Sequence, residues 1–278
     1  MTLVIALVAI FASRPPATPQ LTAIGTTDSL QLLLEGAGGG RVLIGGGGNG
    51  SELPSALGQQ FLPWRGDLDL LIVADRRDLL GATELVRRGR ARAVVTLGLD
   101  DDRAATAALT ALRELCDGRG VPLRSLDDPE RINLGADGAL TIDLYPATIA
   151  GDAARLRFAA GAFSAAIVLG EQPTPDPALA AIIMRESQAH YEAASAGRPR
   201  LLIAPGSSPA SGIEQHLMVG PGQRATLVLA DDTLRLRGGT LTTLDAPRGP
   251  VGLASDPMTL RQVAPVQERG EQWRRCAR

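Results

Sequence analysis

The sequence contains no lysine: all 28 basic residues among its 278 are arginine. Together with the abundance of alanine and glycine, we read this as a coding bias and not as a function. Histidine is almost as scarce, with only His190 and His216. Two cysteines, Cys116 and Cys276, exclude a four-cysteine zinc site and argue against a disulfide framework. A net charge of -2 leaves no global field to attract nucleic acid, so DNA binding would need a local basic patch. What remains is ordinary for a globular chain, with 45% hydrophobic and 21% charged residues and enough length to bury a large core.

A long apolar run is also missing. Leu3 to Ala12 is apolar and uncharged, but Arg14-Pro15-Pro16 ends it, well short of the roughly 20 residues that span a bilayer. It has neither the basic start nor the small-residue cleavage site of a secretory signal. Three readings stand: the stub of a longer membrane helix, a weak anchor, or a buried first strand. The first is favoured because a proline-rich linker follows, so we expect residues 1–20 to form a stub and linker in a membrane-associated protein. The side of the membrane is left open.

Beyond the linker, strand-like and helical stretches alternate. Leu30–Leu34 and Arg41–Ile44 read as strands around a Gly36–Gly40 turn, and Gly45–Gly50 is a glycine loop. Ser51 is placed to cap a helix reaching about Gln60. Leu68–Val73 and Ala93–Leu97 resemble strands buried on both faces, with a helix at Ala82–Arg88 between them. Ala104–Asp117 is an amphipathic helix expected to end near Gly118. Leu140–Leu144, Ala154–Phe158 and Ala165–Leu169 read as strands, Pro177–Ser195 as a helix, and Leu201–Ala204 as a strand before a Pro205–Gly212 loop. Ala225–Leu229 and Thr233–Arg237 form a predicted hairpin. The order predicts an α/β (α+β) domain of two mixed sheets with helices outside, over 21–265, followed by a polar tail at 266–278.

The glycine loop satisfies G-x-G-x-x-G between a strand and a helix, the setting in which backbone amides meet a pyrophosphate. Asp75 ends the next strand, where an acidic residue contacts a ribose, and Arg76 and Arg77 suit a 2′-phosphate. Against that reading, four successive glycines meet the pattern cheaply, other strands precede it, and Pro54 is tolerable only near a helix start. A tight turn between strands is the simpler account.

Several segments, taken in order, resemble the C-terminal metallo-β-lactamase-type domain of ComEC-family DNA-uptake proteins. Ala23-Ile24-Gly25-Thr26-Thr27-Asp28-Ser29 stands where that family has D-V-G-Q-G-D-S, and Leu43-Ile44-Gly45-Gly46-Gly47 where it has L-I-D-G-G. Leu62-Pro63-Trp64 and Leu68-Asp69-Leu70-Leu71 are similar to the approach to its H-x-H-x-D-H, which here is Ala74-Asp75-Arg76-Arg77-Asp78 and onward. Phe163 to Glu171 resembles its strand pair ending in G-D, and Leu201 to Ser208 its strand ending in H-H-G-S. The ladder covers about residues 21 to 212. It implies a metallo-β-lactamase-like αββα sandwich, and Leu3–Ala12 as the end of a preceding membrane helix.

The resemblance also marks the places of a zinc site, in which imidazoles and carboxylates hold a metal that supplies hydroxide near neutral pH. Those places carry Asp28, Gly45, Asp75, Arg77, Asp78, Glu171 and Ser207, with no histidine. Arginine stays charged and cannot ligate a cation, so Arg76 and Arg77 would repel the metal they replaced. The expectation is therefore a degenerate site, no catalysis and no cofactor: a scaffold or interaction module in DNA uptake. Its partners would be a membrane channel protein or single-stranded DNA, by resemblance. Two alternatives stand beside it. One is a metal-dependent phosphodiesterase or nuclease with an oxygen-ligand site drawn from Asp28, Asp75, Asp78 and Glu171; the other is a dinucleotide-binding protein using Gly45–Gly50. Ser207 and Ser208 lie outside any G-x-S-x-G and read as a turn. Arg87, Arg88 and Arg90, with Arg92, are candidate phosphate contacts, although a solvated helix end explains them without a ligand.

Overall fold

Alternating burial on both sides of one sheet sets the architecture. The computed structural model describes residues 18–27, 29–47, 52–60, 67–100, 102–134, 140–146, 155–160, 163–168, 181–185, 201–205, 215–230, 233–237, 244–245 and 261–262. In the first sheet, β1 (Gln20–Gly25), β2 (Leu30–Glu35) and β3 (Arg41–Ile44) form an antiparallel meander. β4 (Leu70–Val73), β5 (Val94–Leu97) and β6 (Leu123–Leu126) extend it in parallel. Each parallel step crosses over through a helix: α1 (Glu52–Gln60), α2 (Leu79–Arg87) and α3 (Thr106–Arg119). Leu30, Leu32, Leu34, Val42, Ile44, Leu70, Ile72, Val95 and Leu97 face one core. Leu33, Leu43, Leu71, Val73 and Val94 face a second core, shared with Leu53 of α1, Leu85 of α2 and Leu112 of α3. Near-continuous apolar strands follow from this, since both faces of the sheet are covered.

The second sheet repeats the scheme. β7 (Glu130–Leu134), β8 (Leu140–Tyr145), β9 (Arg155–Ala160) and β10 (Phe163–Val168) are antiparallel neighbours. β11 (Ala181–Met184), β12 (Leu201–Pro205) and β13 (Gln215–Val219) then add in parallel. Its Ile132, Ile142, Leu144, Leu156, Phe158, Ile167, Ile183 and Ile203 close the first core from the other side. The hairpin of β14 (Arg224–Ala230) and β15 (Thr233–Leu236) returns to the first sheet beside β1, with β16 (Leu244–Asp245) at its edge. β17 (Arg261–Gln262) pairs with β7. The chain thus forms the expected sandwich of two mixed sheets, with α1 to α3 outside the first.

Three expectations need correction. Pro177–Ser195 does not form one helix: Ala181–Met184 is the parallel strand between β10 and β12. Alanine, leucine and methionine there favour helix, but burial between two parallel strands overrides propensity and suits Ile182 and Ile183. The third helix runs past Gly118 to Gly120, whose φ of 63° supplies the left-handed cap. Gln20–Gly25, not Leu30–Leu34, is the first described strand. No described helix is long and apolar enough to cross a membrane. Leu3–Ala12, Ser51, and the 266–278 tail lie outside the described residues.

Candidate functional site

The carboxyl ends of β4 and β11, one from each sheet, meet at a buried ion pair. After β4, Asp75 starts a single 3₁₀ turn at Arg76–Asp78, and its side chain accepts from the Arg77 amide at 2.8 Å. The turn runs straight into α2, which leaves Asp78 pointing inward with its side chain 1% exposed. After β11 comes Arg185, 4% exposed. Its Nη1 donates to Asp78 Oδ2 at 2.7 Å and its Nη2 to Asp78 Oδ1 at 2.5 Å, a two-pronged pair. Its Nε donates to the Leu30 carbonyl at 2.9 Å, and Nη2 also to Gln31 Oε1 at 3.3 Å. The backbone joins in, since the Leu30 amide donates to the Arg185 carbonyl at 2.8 Å. One residue of the second sheet is therefore tied to β2 and to the start of α2.

Glycine makes room for it. Gly45 has φ +99°, and a Cβ there would come within 1.9 Å of Gln31 Oε1 and 2.6 Å of Arg185 Nη2. A side chain at that position would have to displace the ends of Gln31 and Arg185. Gly46 packs its backbone on the carbonyl of Asp78, and Gly81 in α2 packs on Gly46 in return, each with under 2 Å to spare for a Cβ. Gly45, Gly46 and Gly47 are buried. Gly45 and Gly46 serve close packing, whereas Gly47 is buried with φ +74° and has ordinary contact distances around it. Gly48, Asn49 and Gly50 lie outside the described residues.

Of the residues expected at a degenerate site, Gly45 and Asp78 come together, and Asp75 lies alongside. Burial works to raise the Asp75 carboxyl, but hydrogen bonds from Arg77 and the charges of Arg77 and Arg185 outweigh it and hold it below its usual value. Arg77 itself turns outward, half exposed, with Nη2 2.9 Å from Asp75. Asp28, Glu171, Ser207 and His190 lie outside the described residues. His216 sits in β13, opposite Leu202 in the register. Sequence reasoning missed Arg185 and Gln31. The available signal was a charge closing the apolar run Ala181-Ile182-Ile183-Met184, at the carboxyl end of a parallel strand, where open α/β sheets place their ligands.

The resemblance to a metallo-β-lactamase-type domain implies zinc, and these residues do not fit it. The cleft carboxylate Asp78 is already neutralised by a guanidinium, which carries fixed positive charge and no lone pair. Among the described residues, no three His, Cys, Asp or Glu side chains cluster closely enough to hold a metal ion. The same pairing removes Asp78 from the oxygen-ligand set considered for magnesium.

The basic ridge at the end of α2 is partly neutralised as well. Glu84 accepts from Arg87 at 2.5 Å and from Arg88 at 2.6 Å, and Arg92 lies 3.1 Å from Asp69. Arg90 closes the turn through its backbone, its amide donating to the Leu85 carbonyl.

No family model matches the sequence, and no curated protein matches it. Among solved structures, the chain is similar over 75% of its length to all but 1% of YhfI, a metallo-β-lactamase fold protein from Bacillus subtilis, at 13% identity and a TM-score of 0.48. It is similar over 75% of its length to 42% of a long-form RNase Z from yeast, at 7% identity and a TM-score of 0.47.

Proposed function

We propose that this chain is a non-catalytic domain of the metallo-β-lactamase type, serving as a scaffold or interaction module. The observation that carries the reading is the Arg185–Asp78 pair, a buried cation fixed to the chain in the cleft where the two sheets' strand ends converge. A hydrolytic metal needs lone-pair donors and an open coordination position; this site offers a buried carboxylate already engaged by a guanidinium. The resemblance to the ComEC-family domain supports a setting in DNA uptake, beside a membrane channel protein. Single-stranded DNA is the weaker partner, because Glu84 takes up two of the arginines that would hold phosphate.

Elemental analysis of the purified protein tests the reading first. We expect no stoichiometric zinc or manganese, and no cleavage of DNA, RNA or a phosphodiester chromogen with either metal added. Tight, saturable metal with hydrolysis lost in Asp75→Ala would overturn it. The partner is tested by co-expression with the multi-helix membrane protein encoded next to it, where such a neighbour exists; we expect the two to co-purify.

A further inference from the structure

We infer that the acceptors around Arg185 form a guanidinium-recognition cradle shared by the two sheets, with Arg185 as its resident, chain-borne ligand. This rests on the reading of the cleft as non-catalytic and adds what occupies it and why that occupant must be arginine.

The guanidinium donates to acceptors on two fixed elements, the turn that leads into α2, with Asp78, and β2, with Leu30 and Gln31. Asp78 is held by its position between the 3₁₀ turn and α2, with its amide donating to the Asp75 carbonyl at 3.0 Å. The Leu30 carbonyl belongs to β2, whose register against β1 and β3 is continuous. Gln31 is oriented from its other end, its Nε2 donating to Ser29 Oγ at 2.7 Å, which turns Oε1 toward Arg185. Gly45 completes the cradle by its missing Cβ and is pinned by its amide to the Ile72 carbonyl at 2.8 Å. The Asp78 amide, Gln31 Nε2 and the Gly45 amide are each bonded to groups other than the Arg185 side chain. The cradle therefore persists when that side chain is cut away. Its acceptors match a planar fork of N–H donors, which a lysine ammonium cannot reproduce.

The test is rescue in solution. Arg185→Ala should melt about 10 °C below wild type, the order expected for an uncompensated buried carboxylate in a domain of this size. Methylguanidinium at low millimolar concentration should raise its melting temperature, by about 4 °C at ten times the dissociation constant and with the logarithm of concentration beyond it. Methylammonium should not, nor should methylguanidinium act on wild type or on Asp78→Asn/Arg185→Ala. Arg185→Lys should recover little of the loss. If Arg185→Ala does not fold in buffer alone, the reading becomes recovery of folded protein when it is refolded with methylguanidinium, and no recovery overturns the inference. Equal rescue by methylammonium, or rescue that survives loss of Asp78, would also overturn it. So would stoichiometric zinc uptake by Arg185→Ala, which would mean that the cleft suits a metal and the arginine only masks it. Metal bound by the wild-type protein would instead defeat the non-catalytic reading and leave the rescue result to stand or fall separately.

Discussion

Two arginine-carboxylate groups lie at opposite ends of α2, and they differ in almost everything but chemistry. At its start, Asp78 holds Arg185 with both side chains nearly sealed from water. At its end, Glu84 holds Arg87 and Arg88, both about half exposed. In water an ion pair exchanges one good environment for another, so the exposed group contributes little. In the interior each charge has lost its hydration, and only the partner stands between it and a large desolvation cost. The difference lies in location: the buried pair joins two sheets, whereas the exposed group stays within one helix end.

The sharpest way to break the comparison is to remove one buried partner. Asp78→Ala leaves the guanidinium unpaired and should cost about 3–5 kcal/mol in urea denaturation; a loss below about 1 kcal/mol would place the two groups on the same footing. Replacing both partners together, as Asp78→Leu/Arg185→Met, should cost much less than either single change, since no charge is then stranded. Gly45→Ala follows, at about 2 kcal/mol, because the new methyl meets Gln31 and Arg185 and the backbone stays at positive φ. Its effect should shrink in Arg185→Ala, which frees part of that space.

Smaller effects sharpen the contrast from the exposed side. Asp75 has a lowered carboxyl value in the folded state. Its contribution is complete above the usual value of 3.8 and disappears as pH falls through the lowered one. Asp75→Asn should therefore lower stability modestly at neutral pH and make little difference at pH below the lowered value, which flattens the acid limb of the stability curve. Glu84→Gln should leave the denaturation midpoint within measurement error and raise the local positive potential, so any gain in single-stranded DNA affinity would show as a steeper salt dependence. The Cys116 thiol, pushed up to about 11 by burial and by Asp117, should resist alkylation at pH 8 in the native protein and react only after unfolding.

The segments that read correctly were those whose periodicity is decided locally. Leu70–Val73 and Val94–Leu97 are short apolar runs bounded by charge, and Thr106–Arg119 repeats its buried Leu109, Leu112 and Cys116 at helical spacing. Ala181–Met184 failed because its residues suit either structure, and only two flanking parallel strands select the extended form. The glycine loop was legible as a tight turn, but its reason was not. Gly46 and Gly81 are neighbours in space across 35 positions of chain, and nothing in either local sequence announces the other.

The candidate site divides the same way. Its lack of imidazole in the Asp75–Asp78 loop was plain from composition, and so was the principle that an arginine there would displace a metal. The wrong arginines were chosen, however: Arg76 and Arg77 adjoin the motif yet face solvent, while the one that enters the cleft comes from 107 positions further on.

Sequence by itself determined the layers, because alternation and apolar runs state which faces must be buried, and it determined that no histidine-rich metal loop exists in the segment after β4. Tertiary structure alone decided which charge fills the cleft. An arginine side chain carries no local mark of its partner; the pairing arises only when two sheets close over it and water leaves, and desolvation then makes either Asp78 or Arg185 costly to leave alone.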